Sequence, residues 1–400
     1  MPITIPHRIL VAPSGFKESL DASQVAEAMT RGVRRVLPGA VIETVPMVDG
    51  GEGTARALAD ATEGSLVPMV VTGPVGTQVP SHFALLGGSA SGVAVVEMAA
   101  AAGLRLVPAD LRDPTRTTSY GVGELIRGAL DARVRRIIVG CGDSGVSDGG
   151  AGLVTALGGR ILDAAGDPIG DGGAALLDAA ELDLSGLDPR LAETEIVAAC
   201  NIHNVLCGPR GVARVFGPQK GATPEQVEAL SDALEHWADL LDRECADTLD
   251  SFDVRTGPGT GASGGLGAAL AAVCGARLQT RFEVLTDGDV CGVDLDAHIR
   301  RADLVLTAEG AVDYQTPRGK VPAEVAMRAK RHGKPVVALA GSIGEGAADV
   351  HDIGIDAVMG IIPIPMDLAQ AVSEAAPLVA NATERTLRLV TLGCTFAATA

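Results

Sequence analysis

Short apolar runs that end in turn residues alternate with amphipathic helical segments along the first part of this chain. The run RILVAP (8–13) precedes a segment with helical spacing, DASQVAEAMTRGVRRVLP (21–38), which opens on a favourable N-cap aspartate and closes at a proline. A second strand, VIETVPMV (41–48), and a second helix, EGTARALADAT (52–62), repeat this order. Strands and helices at this spacing form right-handed βαβ crossovers, so the sequence predicts a parallel sheet.

The C-terminal part of the chain repeats this rhythm, whereas the middle has shorter strands, longer loops and clustered glycines. Residues 302–310 and 335–341 are predicted strands, and a predicted helix at 321–333 lies between them. We therefore predict an α/β protein with two domains. The first is a discontinuous, Rossmann-like domain with a doubly wound parallel sheet, residues 1–75 plus 286–400, and the second is an inserted α/β domain, residues 76–285.

Composition supports this class and limits the partners. Glycine accounts for 51 of 400 residues and aromatic residues for only 2%, while hydrophobic residues make up 47%, so small aliphatic side chains do the packing. The net charge of −18 argues against nucleic acid or an anionic membrane as a partner. The seven cysteines are dispersed, and neither a signal peptide nor a membrane span is recognisable. We therefore expect a soluble, cytoplasmic protein with reduced thiols.

Five loops share one arrangement, in which an apolar strand ends, glycines follow, and charged residues lie among them. Open α/β sheets bind ligands in the loops at the carboxyl ends of their strands. Glycines let backbone amides approach phosphate oxygens, and neighbouring carboxylates suit Mg²⁺, so the set indicates phosphoryl transfer. The loops are APSGFKESL (12–20), VDGGEGT (48–54), VGCGDSGVSDGGAG (139–152), TGPGTGASGGLGAAL (256–270) and TAEGAVDYQTPRGK (307–320).

Each loop also has a simpler interpretation, because a glycine-rich loop with one carboxylate is most often a tight turn beside a helix cap. The chain has no G-x-x-x-x-G-K-[ST] phosphate loop and no protein-kinase motif. The basic stretch HNVLCGPRGVARVFGPQKGATPEQ (203–226), which contains Lys220, is likewise either a solvated loop or a grip for an anion.

Several motifs, taken in their order along the chain, resemble those of the bacterial glycerate kinase family. They include VDGGEGT (48–54), VEMAAAAGL (96–104), SDGGAG (147–152) and FGPQKGA (216–222), and the resemblance extends from about residue 8 to 390. It implies two α/β domains with the active site in the cleft between them. It also implies ATP and Mg²⁺ as cofactors and transfer of the γ-phosphoryl group to the 2-hydroxyl of D-glycerate. With this resemblance, the anion grip becomes the favoured interpretation of Lys220.

The loops and the resemblance together provide a set of candidate site residues. Carboxylates are candidates for binding Mg²⁺ or accepting the hydroxyl proton, lysines for holding phosphate or a substrate anion, and glycines for cradling nucleotide phosphates. For catalysis we predict Lys17, Asp49, Asp148, Lys220 and Asp313; for nucleotide binding Gly259, Gly261, Ser263, Gly264, Gly265, Glu309 and Lys320; for Mg²⁺ Asp49, Glu52, Asp148 and Glu309. The expected partners are ATP and a small hydroxylated substrate, and a homodimer is an open alternative to a monomer.

The chain departs from the family pattern within these same loops. It carries serine, not aspartate, at Ser14, and Ala311 stands where the family has an arginine. Loss of a guanidinium removes a bidentate partner for a carboxylate or phosphate. Two alternatives therefore stay open: a kinase retuned to another polyol, cyclitol or sugar-like phosphate, or a catalytically weak homologue that binds nucleotide or ligand. The other departures are Asp143, Val146, Ser147, Asn201, His203 and Val205.

Overall fold

The computed structural model describes residues 5–16, 19–287 and 293–398. The chain divides into two compact units, of which the first is Met1–Val48 with Gly292–Ala400 and the second is Asp49–Cys291. Lys17, which was predicted as a site residue, lies outside the described residues.

Strands and helices alternate along most of the described chain, and short 3₁₀ turns connect several of them. The strands are β1 (Arg8–Val11), β2 (Val41–Thr44), β3 (Ser65–Thr72), β4 (Gln78–Leu85), β5 (Val93–Glu97), β6 (Arg136–Gly140), β7 (Arg160–Leu162), β8 (Glu181–Asp183), β9 (Glu195–Cys200), β10 (Arg277–Thr280), β11 (Leu304–Val312), β12 (Val336–Ile343) and β13 (Ala357–Gly360). The helices are α1 (Ala22–Val36), α2 (Thr54–Ala61), α3 (Ala99–Ala102), α4 (Tyr120–Asp131), α5 (Ala151–Ala156), α6 (Val212–Phe216), α7 (Pro224–Glu244), α8 (Ala246–Leu249), α9 (Ala262–Cys274), α10 (Leu295–Arg301), α11 (Val321–Arg331), α12 (Leu368–Ser373) and α13 (Ala375–Ala398).

The first unit is built on a parallel sheet with the strand order β13-β12-β11-β1-β2. Its central strands β1 and β11 consist largely of buried aliphatic residues, as a parallel sheet covered by helices requires. Helix α1 begins with a capping box, in which the Asp21 side chain accepts from the Gln24 amide and the Gln24 side chain accepts from the Asp21 amide. Its apolar face, which includes Val25 and Met29, is buried.

The second unit contains a six-stranded sheet with the order β10-β9-β6-β5-β4-β3. Strands β5, β6, β9 and β10 are parallel, whereas β3, β4 and β5 pair in antiparallel fashion. Trp237 of α7, the single tryptophan of the chain, is fully buried in this unit and donates its indole N–H to the carbonyl of Gly149 at 2.9 Å. The predicted α/β class with parallel sheets is confirmed.

The boundaries between the units differ from the predicted boundaries. The sequence analysis grouped residues 49–75 with the first unit, but the structure places them in the second. The reason is β3, which forms an antiparallel ladder with β4 along its whole length of eight residues. A hairpin of this length joins both strands to one sheet, and the alternation of helix and strand in the sequence does not reveal it. The later boundary lies at 291/292 rather than 285/286.

The C-terminal segment forms two helices, because α12 ends at Ser373 and α13 begins at Ala375. Pro377 lies in the first turn of α13, where the missing amide hydrogen breaks no helical bond. Within the described ranges, no helix is both long enough and apolar enough to cross a membrane.

Candidate active site

Three predicted residues of the first unit meet where β11 ends, and we call Glu309, Asp313 and Lys320 the β11 cluster. The Lys320 ammonium lies 3.3 Å from a Glu309 carboxylate oxygen and 3.4 Å from an Asp313 oxygen, and it donates to the Ala311 carbonyl at 3.2 Å. Lys320 is the N-cap residue of α11, so the start of this helix sets its position. The structure thus gathers a cation and two carboxylates at the carboxyl end of a central parallel strand.

The side chains of the β11 cluster are partly exposed. The side chains of Glu309, Asp313 and Lys320 are 17%, 23% and 24% exposed, respectively. Nearby, the Ser14 hydroxyl follows β1 and donates to the Ala308 carbonyl at 2.9 Å, so this departure from the family pattern ties two adjacent strands together. Ala311 lies along β11 between Glu309 and Asp313, and the Lys320 ammonium provides the positive charge beside it.

In the second unit, the predicted residues Asp49 and Glu52 lie on a tight segment that we call the 49–55 turn. The Asp49 carboxylate accepts from the Gly51 amide at 3.1 Å, and the Asp143 carboxylate accepts from the adjacent Glu52 amide at 3.2 Å. Gly50 has a φ of +79°, and a Cβ there would lie 3.1 Å from the Ala199 carbonyl oxygen of β9. The turn therefore crosses the strand ends closely, and its left-handed backbone at position 50 favours glycine.

Side chains from three strand ends contact this turn, and sequence reasoning assigned none of them to the site. Arg281, which follows β10, donates to the Asp49 carbonyl at 3.2 Å, and its side chain is 12% exposed. Asp143 follows β6, and Glu97 ends β5. Arg105 also pairs with the exposed Glu52 side chain at 2.9 Å. The one available signal was Glu97, because a glutamate that ends an otherwise apolar buried strand needs partners.

Glu97 is the most deeply buried of these groups, with 2% of its surface exposed. Its two carboxylate oxygens accept from the amides of Gly53, at 3.3 Å, and Ala55. Burial raises the pKa of Glu97 to about 7, the two amide bonds oppose this shift, and the charges of Glu52 and Asp143 add to it.

Asp148 and Lys220, both predicted to act in catalysis, lie inside the second unit with 1% and 2% of their surfaces exposed. Asp148 accepts from the amide and the hydroxyl of Ser119, each at 2.7 Å, and from the amides of Gly150 and Gly152 at the start of α5. Burial raises its pKa, and these hydrogen bonds oppose the shift. In this position Asp148 caps a helix and does not face solvent.

The Lys220 ammonium likewise points inward. It donates to the Val146 backbone carbonyl at 2.5 Å and lies 3.4 Å from the hydroxyl of Ser147, which is one of the departures from the family pattern. Burial lowers the pKa of Lys220 to about 7, and the charge of Asp148 opposes this change. The structure therefore gives Lys220 a role in holding the 146–148 backbone, whereas its predicted grip on an anion stays a prediction.

The predicted phosphate cradle at 259–265 is buried, and much of its hydrogen-bonding capacity is already used. The amides of Gly259 and Gly261 donate to carbonyls of the 202–204 segment. Gly264 has a φ of +74°, and a Cβ there would lie 2.0 Å from the Val146 carbonyl oxygen. Ser263 and Gly265 are buried as well. Gly261, Gly264 and Gly265 are explained by close packing against backbone, and Gly259 by packing against the Cys200 sulfur. Their predicted contact with nucleotide stays a prediction.

Two further sets of predicted residues remain: the departures Asn201 and His203, and the predicted Mg²⁺ ligands. The Asn201 side chain accepts from the amide of the exposed residue His203 at 3.1 Å. In the part of the chain that the structure describes, no group of three or more Asp, Glu, His or Cys side chains is arranged to hold a metal ion. The predicted Mg²⁺ ligands Asp49, Glu52 and Asp148 lie in the second unit, and Glu309 lies in the first.

A parallel α/β sheet with a lysine and carboxylates at a strand end is an architecture that small-molecule phosphotransferases use. Comparison with known proteins identifies the family. The model of the Glycerate kinase family matches residues 9–391. The chain therefore belongs to the glycerate kinase family, and the resemblance seen in the motifs is confirmed. Membership makes it a kinase that acts on a hydroxyl group.

Individual relatives match almost the full chain. A glycerate kinase of Bacillus subtilis (strain 168) is 44% identical over 381 residues, which cover 95% of this chain and 96% of the relative. A glycerate 2-kinase of Escherichia coli (strain K12) is 44% identical over 355 residues, or 89% and 90% of the two chains. The crystal structure of a Salmonella typhimurium LT2 protein assigned to glycerate kinase 2 superimposes with a TM-score of 0.76 at 44% identity and covers 96% and 98%.

We expect Gly264→Ala to destabilise the second unit, because the new Cβ would collide with the Val146 carbonyl. The matched control is Gly166→Ala, where φ is +86° but no atom lies within 4 Å of the new Cβ. The control should cost about 1 kcal/mol for the left-handed backbone alone, and Gly264→Ala should cost at least about 1–3 kcal/mol more. Urea unfolding followed by Trp237 fluorescence measures both. If the two variants were equally stable and only Gly264→Ala lost nucleotide binding, a phosphate cradle would explain the glycine at position 264 better than packing does.

We expect Lys220→Met to change how the stability of the second unit depends on pH. The ammonium pKa falls from its ordinary value of 10.5 to about 7 in the folded chain, so folding releases a proton between these values. The free energy of unfolding of the wild type should therefore rise with pH relative to the variant, by at most about 1.4 kcal/mol per pH unit. Urea unfolding of both proteins at about pH 7, 8 and 9 measures this pH dependence of the free energy of unfolding. Parallel wild-type and variant curves would show that the ammonium pKa is not lowered.

Proposed function

We propose that this chain transfers the γ-phosphoryl group of ATP to the 2-hydroxyl group of D-glycerate. The observation that carries the proposal is the β11 cluster, in which the Lys320 ammonium lies between the carboxylates of Glu309 and Asp313. Phosphoryl transfer needs a cation for the charge on the moving group and a carboxylate near the nucleophilic hydroxyl. The family and the names of the relatives support glycerate as the acceptor.

The reaction divides into tasks that this cluster is equipped to perform. The 2-hydroxyl oxygen forms a bond to the γ-phosphorus while the bond to the bridging oxygen breaks and ADP leaves. The hydroxyl proton passes to a carboxylate, a role that we assign to Asp313. Asp313 is held in place because it accepts from the Gln315 amide at 2.8 Å, and its own amide donates to the Thr316 hydroxyl. The Lys320 ammonium stabilises the negative charge on the transferring group.

Mg²⁺ fits this chemistry through few protein ligands. Mg²⁺ binds nucleotide phosphates with only one or two protein carboxylates and keeps several waters. Asp49 suits this role, since its side chain is 40% exposed and its position is fixed by the Gly51 amide. Asp148 does not fit, because its carboxylate is buried and bound by four donors. When bound with ATP, the ion neutralises charge on the phosphates.

The β11 cluster keeps a cation beside Ala311. The family arginine is absent at this position, but the Lys320 ammonium donates to the Ala311 carbonyl and keeps a positive charge there. A carboxylate that loses water on binding needs a cationic partner, and Lys320 already pairs with Glu309 and Asp313. The choice of D-glycerate as acceptor therefore rests on the family and on the names of the relatives.

We expect Lys320→Met to lower kcat/KM for D-glycerate by about 10²- to 10³-fold, because a charge that stabilises the transferring phosphoryl group is lost. The matched control is Lys330→Met on α11, which removes an exposed lysine that lies 3.9 Å from Asp356. The control should keep wild-type kinetics. Glycerate-dependent ADP formation measures both variants, and circular dichroism checks that each is folded.

Two outcomes of this experiment contradict different parts of the proposal. Wild-type kinetics in a folded Lys320→Met would remove the β11 cluster from the reaction and leave the family assignment intact. Absence of glycerate-dependent ADP formation by the wild-type protein, with ATP and Mg²⁺ present, would refute the proposed function itself.

A further inference from the structure

Helix α2 lacks a cap of its own, and a carboxylate from another element takes that place. Its N-cap residue is Gly53, with a φ of +89° and no side chain to accept a hydrogen bond. The first amides of a helix have no partner within the helix, so an external acceptor is needed. Glu97, at the end of β5, accepts from the amides of Gly53 and Ala55. The helix start is thus tied to a strand that lies more than forty residues away in the chain, as the separations of 44 and 42 residues show.

Burial of the Glu97 carboxylate costs free energy, and this cost indicates that the side chain does more than fill space. Glu97 is 2% exposed, and burial of a carboxylate disfavours its charged form. The neighbouring charges of Glu52 and Asp143 disfavour that form further. An apolar residue would fill the same volume without either cost, but it could not hold two amides at once.

The amides that Glu97 holds belong to the 49–55 turn, which carries Asp49 and Glu52. The turn is fixed at three points: Arg281 donates to the Asp49 carbonyl, Asp143 accepts from the Glu52 amide, and Glu97 accepts from the amides of Gly53 and Ala55. Among these three side chains Glu97 is the most buried. A change at Glu97 therefore releases the end of the turn that leads into α2, and with it the orientation of Glu52 and Asp49.

We propose that Glu97 is a positioning residue: it holds the 49–55 turn so that Asp49 and Glu52 are correctly placed for the magnesium nucleotide. This inference rests on the proposed function for its kinetic consequence, and it requires no contact between Glu97 and the substrate. We therefore expect loss of the Glu97 carboxylate to change KM for MgATP more than KM for D-glycerate.

The test compares Glu97→Gln with a matched control, Glu124→Gln. Glu124 also accepts from a distant backbone amide of the second unit, that of Thr72 at 2.6 Å, but its contact lies outside the 49–55 turn. The glutamine at position 97 would turn an N–H₂ donor toward one of the two amides and lose one bond. We expect kcat to fall by about 10- to 100-fold and KM for MgATP to rise, while KM for D-glycerate stays near the wild-type value. The control should keep wild-type kinetics.

A second measurement does not depend on activity. Hydrogen exchange of the Gly53 and Ala55 amides should accelerate in Glu97→Gln and stay slow in Glu124→Gln. Unchanged exchange together with unchanged KM for MgATP would overturn the proposal. So would an equal loss of activity in both glutamine variants, since that would show a general effect on stability.

Two further outcomes are decided by the same design. If Glu97→Gln does not fold, the test uses Glu97→Asp, which retains both acceptor oxygens on a shorter side chain. Values of kcat and of amide exchange that deviate from wild type support the proposal. Wild-type values for both overturn it. If the wild-type protein lacks glycerate-dependent phosphoryl transfer, the proposed function fails, and the exchange rates of Gly53 and Ala55 decide whether Glu97 holds the turn.

Discussion

A charged side chain can leave water only where hydrogen-bonding partners replace the solvent, and this constraint divides the charged loop residues of the chain into two groups. Lys220, Asp148 and Glu97 are buried, and each forms hydrogen bonds with backbone groups of the second unit. The β11 cluster keeps between 17% and 24% of each side chain exposed, so it can exchange partners with a ligand. The candidate chemistry therefore lies with the exposed group.

The buried charged side chains fix the backbone conformation of loops in the second unit. Asp148 and Lys220 fix the 146–152 backbone from two sides, and Glu97 fixes the start of α2. Each of these groups has a pKa shifted in the direction that disfavours its charge. The fold accepts this cost because the same side chains satisfy backbone groups that would otherwise be buried without partners.

The sequence was sufficient for much of the local structure and for the grouping of three candidate residues at one strand end. Helix α1, with its N-cap at Asp21, and the position of Glu309, Asp313 and Lys320 at a strand end all follow from local patterns. The burial of Lys220 does not, because its contacts lie 73 and 74 residues away and a basic residue in a glycine-rich loop is typical of a solvated surface. Glu97 was missed for a related reason, since its partners lie in another element. The 49–75 boundary required knowledge of the β3–β4 pairing.

The identity of the phosphorylated product tests the central claim most directly. The wild-type protein is incubated with ATP, Mg²⁺ and D-glycerate, and the product is examined by phosphorus and proton NMR. Our account predicts equal amounts of ADP and 2-phosphoglycerate, with the phosphorus coupled to the proton on the central carbon. Formation of 3-phosphoglycerate, or of ADP and inorganic phosphate without a phosphorylated acceptor, would contradict it.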